Sequence, residues 1–309
     1  MIEQLIGSVR ELIDHGSIEE ASAGIREAAK LSTEASVPFL YSLFADKPYP
    51  LCQAALEGLT CIGKPAFTFL KNIYSTSNDN QKYWIIRTML KGSREEIEFL
   101  AALARKENEN ICAFLATQLV NVREPRLSVP IILSLFKKSS WLVKKNCAQS
   151  LTEIGRPVVP YLKKLFGLKN RDLKFWVIRV LAEILKDDLY PFLEKMLAES
   201  PGAMGYYALI GLDKIDSPRS CKLLVDTLGS SRWMLRAEAL EILRRKGKTV
   251  LPYLKKSFNT SNPEQRYLII RLIGEISGNK ALPFLKEILS RHSIELRYSA
   301  VSALGRIPT

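Results

Sequence analysis

The sequence predicts an all-α solenoid of about ten stacked helix pairs, with a super-period of 92 residues that spans three pairs. The first observation is a recurring glycine, at positions 63, 155 and 247, so that 92 residues separate each copy from the next. Other motifs keep this spacing: Tyr83-Trp-Ile-Ile-Arg87, Phe175-Trp-Val-Ile-Arg179 and Tyr267-Leu-Ile-Ile-Arg271, and the single residues Tyr49, Trp141 and Trp233. The super-period divides into units of about 31 residues, a length typical of solenoids and propellers.

The second observation is the helical periodicity of the apolar residues, which favours a solenoid over a propeller. In Leu235-Arg-Ala-Glu-Ala-Leu-Glu-Ile-Leu243 the apolar residues fall at helical intervals, whereas the strands of a propeller blade would alternate. Glycines end these patterns, and we expect them to form left-handed caps: Gly63, Gly155, Gly247 and Gly305. Prolines fall near the first turn of the following helices, where their missing N–H costs little: Pro65, Pro157, Pro191 and Pro283.

Charge and composition indicate a folded protein that binds an acidic partner. The 309 residues are 47% hydrophobic and carry a net charge of +13. Residues 1–46 hold three basic and eight acidic side chains, so the rest of the chain carries +18. An acidic beginning followed by a basic array predicts an acidic partner.

Several classes of protein and site are disfavoured by the composition. No apolar run reaches the roughly 18–20 residues of a membrane span, and the N-terminus resembles an amphipathic helix, so we expect a cytoplasmic protein. The five cysteines form no Cys-x-x-Cys pair, and with two histidines a zinc site is not expected. We expect these thiols to be small buried hydrophobes, and the residues indicate no cofactor.

The repeats resemble the HEAT family, including the short bacterial versions related to phycobilisome-lyase repeats. The HEAT pattern has Val-Arg-x-x-Ala-Leu at the start of the second helix of a pair and Leu-Gly-x-Ile at its end. The matching segments are Leu296-Arg-Tyr-Ser-Ala-Val301, Ala303-Leu-Gly-Arg-Ile307, Leu235-Arg-Ala-Glu-Ala-Leu240 and, more loosely, Val143-Lys-Lys-Asn-Cys-Ala148. The resemblance implies a right-handed α-α superhelix whose second helices line a concave face. We interpret residues 1–309 as one solenoid, with an acidic capping pair at 1–34 and nine HEAT-like repeats at 35–309.

The sequence does not contain the catalytic motifs of the enzymes that belong to this family. The HEAT-repeat hydroxylase that modifies a lysine derivative holds two irons with paired His-Glu motifs, whereas here Gly16 follows His15 and Ser293 follows His292. We find no match to the catalytic aspartate motif of the helical-repeat DNA glycosylases. The chain also lacks His-Glu-x-x-His, Gly-x-x-x-x-Gly-Lys-Ser/Thr and Gly-x-Gly-x-x-Gly. The sequence therefore favours a protein without a catalytic site.

Two positions of the second helices are candidates for binding. Counting the Arg of Val-Arg-x-x-Ala as position zero, positions three, four and seven are apolar, and positions one and five lie on the opposite side. Position one is aromatic and position five is arginine in three repeats, and position one is tyrosine in two more. The predicted binding stripe is Tyr83, Arg87, Phe175, Arg179, Tyr206, Tyr267, Arg271 and Tyr298. An aromatic ring beside a guanidinium offers apolar area, a cation–π contact and a donor fork.

The alternative interpretation of these residues is structural: they pack between adjacent second helices, and the arginines pair with neighbouring acids. The cation at position zero is interpreted as structural, forming a ladder to acidic or carbonyl groups in the neighbouring turn. This ladder comprises Lys82, Lys174, Arg236, Arg266 and Arg297.

Three functions follow from this pattern. The first is a non-catalytic scaffold that binds an acidic segment of a protein partner on its concave face. The second is nucleic-acid binding, supported by the basic charge and opposed by lysines on both faces. The third is a factor for chromophore attachment, like the phycobilin lyases. The sequence identifies neither the partner nor the oligomeric state.

Overall fold

The computed structural model describes residues 2–30, 34–122, 124–138, 140–199, 204–259 and 261–307. Within these ranges the chain forms twenty α-helices, joined by turns and short 3₁₀ segments, and no strand. The first ten are α1 Ile2–His15, α2 Ile18–Lys30, α3 Val37–Ser42, α4 Tyr49–Ile62, α5 Lys64–Ile73, α6 Asp79–Met89, α7 Arg94–Lys106, α8 Glu109–Gln118, α9 Pro125–Phe136 and α10 Trp141–Ile154. The second ten are α11 Val159–Phe166, α12 Arg171–Leu185, α13 Tyr190–Glu199, α14 Met204–Asp213, α15 Pro218–Thr227, α16 Trp233–Lys246, α17 Leu251–Phe258, α18 Pro263–Ser277, α19 Leu282–Arg291 and α20 Ile294–Leu304. The all-α prediction of about ten helix pairs is confirmed.

Two compact units make up the chain, Met1–Val158 and Val159–Thr309, and the described residues of each form five helix pairs. We call the odd-numbered helix of each pair the first helix and the even-numbered one the second helix. In the first unit each second helix packs on the next, from α2 through α4, α6 and α8 to α10. In the second unit the same row runs from α12 through α14, α16 and α18 to α20. Each unit therefore has a row of second helices, which is where the sequence placed the candidate binding residues. The division into a capping pair and nine repeats stays a prediction.

Side chains at the helix starts explain why the helices begin where they do. Many helices are preceded by a serine or asparagine whose side-chain oxygen accepts a hydrogen bond from a backbone N–H of the first turn. These capping residues are Asn78, Ser93, Asn108, Ser140, Asn170, Ser217 and Asn262. At α5 and α19 a proline occupies one of the first two positions, as the sequence indicated for Pro65 and Pro283.

Glycines with positive φ end several second helices. Gly63, Gly155 and Gly247 have φ values of 75°, 78° and 62°, as expected from the repeated pattern. The same expectation was wrong for Gly305, whose φ is −66° because the last turn continues in right-handed geometry. Gly278, at φ 53°, ends α18 in the same way as the first three.

Lys186 is the equivalent of Gly278 one super-period earlier, and it has the same backbone conformation. Its φ and ψ are 48° and −125°, against 53° and −133° for Gly278. A side chain is strained there, and that of Lys186 is exposed. Lys186→Gly should therefore raise the free energy of unfolding by about 1 kcal/mol. Urea denaturation followed by circular dichroism would measure this, and a lower stability would contradict it.

Equivalent leucines form the interior of the helix pairs. Leu59, Leu151 and Leu243 are spaced by the super-period, and all three are fully buried. Four of the five cysteines are buried as expected, but Cys61 is exposed near the end of α4. Within the described part of the chain, no helix has the length and apolar character needed to cross a bilayer.

Candidate functional site

The cations at position zero contact groups in their own helix pair and in the next one. Arg236, Arg266 and Arg297 each donate to a backbone carbonyl oxygen at the end of the preceding first helix or the turn after it. These bonds run to Ser230 (2.7 Å), to Phe258 and Asn259 (3.0 and 2.9 Å) and to His292 (2.8 Å). Because carbonyl groups at a helix end lack intrahelical partners, such cations satisfy them and join the two helices of a pair.

Lys82, Lys174 and Arg266 share another type of contact. Each forms a cation–π contact with the aromatic ring eight residues earlier. Their cationic groups lie 5.2, 5.4 and 5.7 Å from the ring centroids of Tyr74, Phe166 and Phe258 respectively. Lys82 also forms an ion pair with Glu107 at 3.3 Å, in which both side chains are largely buried. The aromatic series recurs every 92 residues, and this spacing could have identified it from the sequence.

The aromatic residues of the predicted stripe all lie on second helices, but they differ in exposure. Tyr83 is half-buried, with its ring centroid 4.6 Å from that of Phe114 on the next second helix. Phe175 is also half-buried, whereas Tyr206, Tyr267 and Tyr298 are exposed. Tyr83 therefore packs between neighbouring helices, as the structural alternative proposed, while the three exposed tyrosines are accessible to a partner.

Arg87 contacts three aromatic rings. Its guanidinium carbon lies 4.9 Å from the ring centroid of Trp84, 5.6 Å from Phe114 and 5.7 Å from Tyr49. It makes no ion pair or hydrogen bond with any side chain or carbonyl in the described ranges. The guanidinium is therefore held in place by π-faces, while no described residue provides an acceptor for its N–H donors.

Arg179, one super-period later, has the same type of environment. Its guanidinium carbon lies 5.2 Å from the ring centroid of Phe175 and 5.9 Å from that of Trp176. Glu183 stands one turn further along α12, but this carboxylate lies 3.7 Å from the ammonium group of Lys214. Of the described residues, none forms an ion pair with Arg179.

Arg271 differs from the other two arginines because its charge is neutralised. It donates to Glu275 at 2.9 Å, and Arg244 donates to the other oxygen of the same carboxylate at 2.9 Å. Burial alone would raise the pKa of Glu275, but the hydrogen bonds from Arg271 and Arg244 outweigh it, so the pKa is lowered. Arg271 thus belongs to a local ion network.

Three grooves lie along the second helices. The Arg87 groove, of about 500 Å³, is bordered by α4, α6 and α8. Tyr49, Tyr83, Trp84, Arg87 and Phe114 line it, together with one acidic and one basic side chain of the preceding loop, Asp46 and Lys47. The Trp233 groove, of about 830 Å³, is bordered by α14, α16 and α18. The Tyr267 groove, of about 880 Å³, is bordered by α16, α18 and α20.

The grooves gather the predicted stripe residues in part. Tyr83 and Arg87 line the Arg87 groove, Tyr206 and Arg271 line the Trp233 groove, and Tyr267 and Tyr298 line the Tyr267 groove. Phe175 and Arg179 line none of these three. The sequence analysis did not assign binding roles to Tyr49, Phe114, Trp233 or Glu238. Tyr49 and Trp233 carried a signal, since each begins a second helix and recurs at 92 residues.

Potential metal ligands are not clustered. In the portions of the chain that the structure describes, no group of three or more His, Cys, Asp or Glu side chains is arranged to hold a metal ion. The ring of His292 packs edge-on against Phe258, with centroids 5.4 Å apart.

The comparison with known protein families agrees with the helix pairs. Residues 129–204 match the family model for HEAT repeats. No curated protein sequence matches the chain. Solved structures similar to it include an engineered protein, with 16% identity over 100% of this chain and 99% of the other and a TM-score of 0.31.

Two natural proteins are also similar. Human deoxyhypusine hydroxylase, solved with glycerol, is 16% identical over 89% of this chain and 97% of its own, with a TM-score of 0.30. The Escherichia coli protein YibA is 17% identical over 92% of this chain and 96% of its own, with a TM-score of 0.37. The family match is to HEAT repeats in general: it shows HEAT repeats at residues 129–204 and supports the HEAT-repeat family for a chain that forms helix pairs throughout its described ranges.

Proposed function

We propose that the protein is a non-catalytic scaffold that binds an acidic segment of a protein partner along its second helices. The observation that supports this most is the state of Arg87 and Arg179. Both guanidinium groups are positioned by aromatic rings, and neither has an acidic partner among the described residues. A carboxylate of a partner would accept two parallel hydrogen bonds from such a fork, while the rings offer apolar contact.

Nucleic acid is the competing ligand for a basic helical-repeat protein. The two larger grooves oppose it, because carboxylates line both: Glu238 and Glu241 in the Trp233 groove, and Glu264 and Glu295 in the Tyr267 groove. These carboxylates would repel the phosphates of a nucleic acid bound along the grooves. The geometry thus favours a protein segment whose acids meet only particular arginines.

A peptide selection tests the proposal. Twelve-residue peptides displayed on phage would be selected against the full-length protein, and the best binder measured by fluorescence anisotropy. We expect acidic sequences to be enriched. Arg87→Gln and Arg179→Gln are made as separate single variants. For each selected peptide, one of the two variants should bind about tenfold more weakly or worse, because the charge-assisted pair with that arginine is lost.

The matched control is Arg94→Gln. Arg94 is an exposed arginine of a first helix that pairs with Glu98 at 2.8 Å, so its loss should leave peptide binding unchanged. If Arg94→Gln weakened peptide binding equally, the effect would come from the net charge of the protein and not from the specific arginines. A selection that does not enrich acidic peptides would refute the proposal. Tight binding of a DNA duplex at about 50 mM salt, weakened steeply by added salt, would favour the nucleic-acid alternative.

A further inference from the structure

Three equivalent aromatic residues begin second helices and are widely exposed. Tyr49, Trp141 and Trp233 are the first residues of α4, α10 and α16, and their side chains are 60%, 63% and 69% exposed. A large aromatic side chain held in the same exposed position in three repeats leaves apolar surface that a partner can contact.

Two of these three rings are covered by a cation from the protein itself. The Arg87 guanidinium carbon lies 5.7 Å from the ring centroid of Tyr49, and the Lys145 ammonium nitrogen lies 5.3 Å from that of Trp141. The Trp233 ring faces no cation from the described residues. The residue equivalent to Lys145 there is Ala237, which leaves the face of the indole open.

The surroundings of Trp233 are suited to a cation with an apolar stem. Tyr206 and Met234, both exposed, line the groove with Trp233, beside the buried side chains of Leu235 and Leu240. An arginine or lysine side chain could lay its methylene groups on this surface and keep its charged end at the polar rim.

One carboxylate of the Trp233 groove, that of Glu238, has no partner among the described residues. Glu238 is half-buried, and no described side chain or backbone group forms an ion pair or hydrogen bond with it. Burial raises the pKa of the Glu238 carboxyl, and although Arg245 opposes this, Asp213 and Glu241 add to it. An incoming cation would relieve the cost of keeping this carboxylate charged.

The other charged groups of the groove are already engaged. Arg271 pairs with Glu275, Glu241 accepts from Arg244, and Arg232 donates to the carbonyl oxygen of Leu197. The arginines of this groove therefore already have acceptors among the described residues, whereas Arg87 in the Arg87 groove does not.

We propose that the Trp233 groove binds a basic side chain, arginine or lysine, of a protein partner, with the cation over the Trp233 ring and beside Glu238. The site is separate from the arginines of the proposed function and takes a ligand of opposite charge. Each site can therefore fail its own test while the other passes.

Fluorine NMR of the full-length protein labelled with 5-fluorotryptophan tests this site, because the four tryptophans can be assigned by substitution. The probe is the peptide acetyl-Gly-Ser-Arg-Ser-Gly-amide. We expect the Trp233 signal to shift in a saturable way and the Trp141 signal to stay in place, since Lys145 already covers that ring. The same peptide with neutral citrulline in place of arginine should bind about tenfold more weakly or worse, as a lost cation–π contact and ion pair predict.

Glu238→Gln, which keeps the shape of the side chain and removes its charge, should weaken binding of the arginine peptide by a similar factor. The melting temperature of the protein should stay unchanged. Trp233→Leu, at a widely exposed position, should abolish binding without unfolding the protein. The proposal is overturned if the Trp233 signal does not move, if citrulline binds as well as arginine, or if Glu238→Gln has no effect. A stronger response to the matching glutamate peptide would overturn it as well.

Discussion

Leu243→Ala should lower the free energy of unfolding by about 2–5 kcal/mol, the range found when a fully buried leucine is truncated in a packed core. Leu243 lies on α16 and has no exposed surface. The helix packs against α14, α15 and α18, so the cavity would open where several helices meet. A repeat contacts only its neighbours, and no distant part of the chain can compensate for the loss.

Urea denaturation monitored by circular dichroism measures the loss in unfolding free energy. Amide hydrogen exchange shows which helices are destabilised. We expect faster amide exchange in α14–α18 than in the first unit. Leu168→Ala is the control, because Leu168 is an exposed leucine whose truncation should change stability by no more than about 0.5 kcal/mol. A Leu243→Ala protein as stable as the parent would mean that the helix pairs do not depend on this interior.

Lys71→Met should lower the free energy of unfolding by about 2–3 kcal/mol, because it leaves a buried carboxylate without its cation. Glu96 on α7 is only 4% exposed. One of its oxygens lies 3.0 Å from the Lys71 ammonium nitrogen, and the other accepts from the backbone N–H and hydroxyl of Ser93 at 2.9 and 2.6 Å. The pair thus joins first helices α5 and α7.

The effect should depend on pH in a defined direction. Burial raises the pKa of Glu96, but the hydrogen bonds from Ser93 and Lys71 lower it by more, so the net pKa lies below its usual range. A depressed carboxyl pKa contributes stability above the unfolded-chain value of about 4.3, and this is lost as the pH falls through the folded-state value. The difference between the parent and Lys71→Met should therefore shrink between pH 7 and pH 3.

Lys163→Met provides the matched control. Lys163 occupies the equivalent position of α11, 92 residues later, but its side chain is exposed. Its replacement should change stability by no more than about 0.5 kcal/mol. The double variant Lys71→Met and Glu96→Gln should recover part of the loss, since the uncompensated charge is removed. Equal effects of the two lysine variants would contradict the role assigned to the buried pair.

The predicted binding stripe shows where inference from the sequence reaches its limit. Arg179 and Arg271 occupy equivalent positions, and each has a glutamate four residues later on the same helix, Glu183 and Glu275. Only Arg271 forms that i,i+4 pair. Lys214, from the turn after the next second helix, lies beside Glu183, while Arg179 rests on Phe175 and Trp176. The sequence places these groups one helical turn apart, but neighbouring repeats decide which contact forms.

The sequence by itself determined the helix pairs, their 92-residue super-period and the residues that begin and end many helices. These features depend on spacing along the chain and on local backbone preferences, both of which can be read in one dimension. Only the tertiary structure decided which charges are neutralised. Arg271 and Lys71 form ion pairs, whereas Arg87, Arg179 and Glu238 form none with the residues that the structure describes. The physical reason is that a charged side chain can meet partners on its own helix or on a neighbouring one, and packing rather than sequence spacing decides which of them comes within a few ångströms.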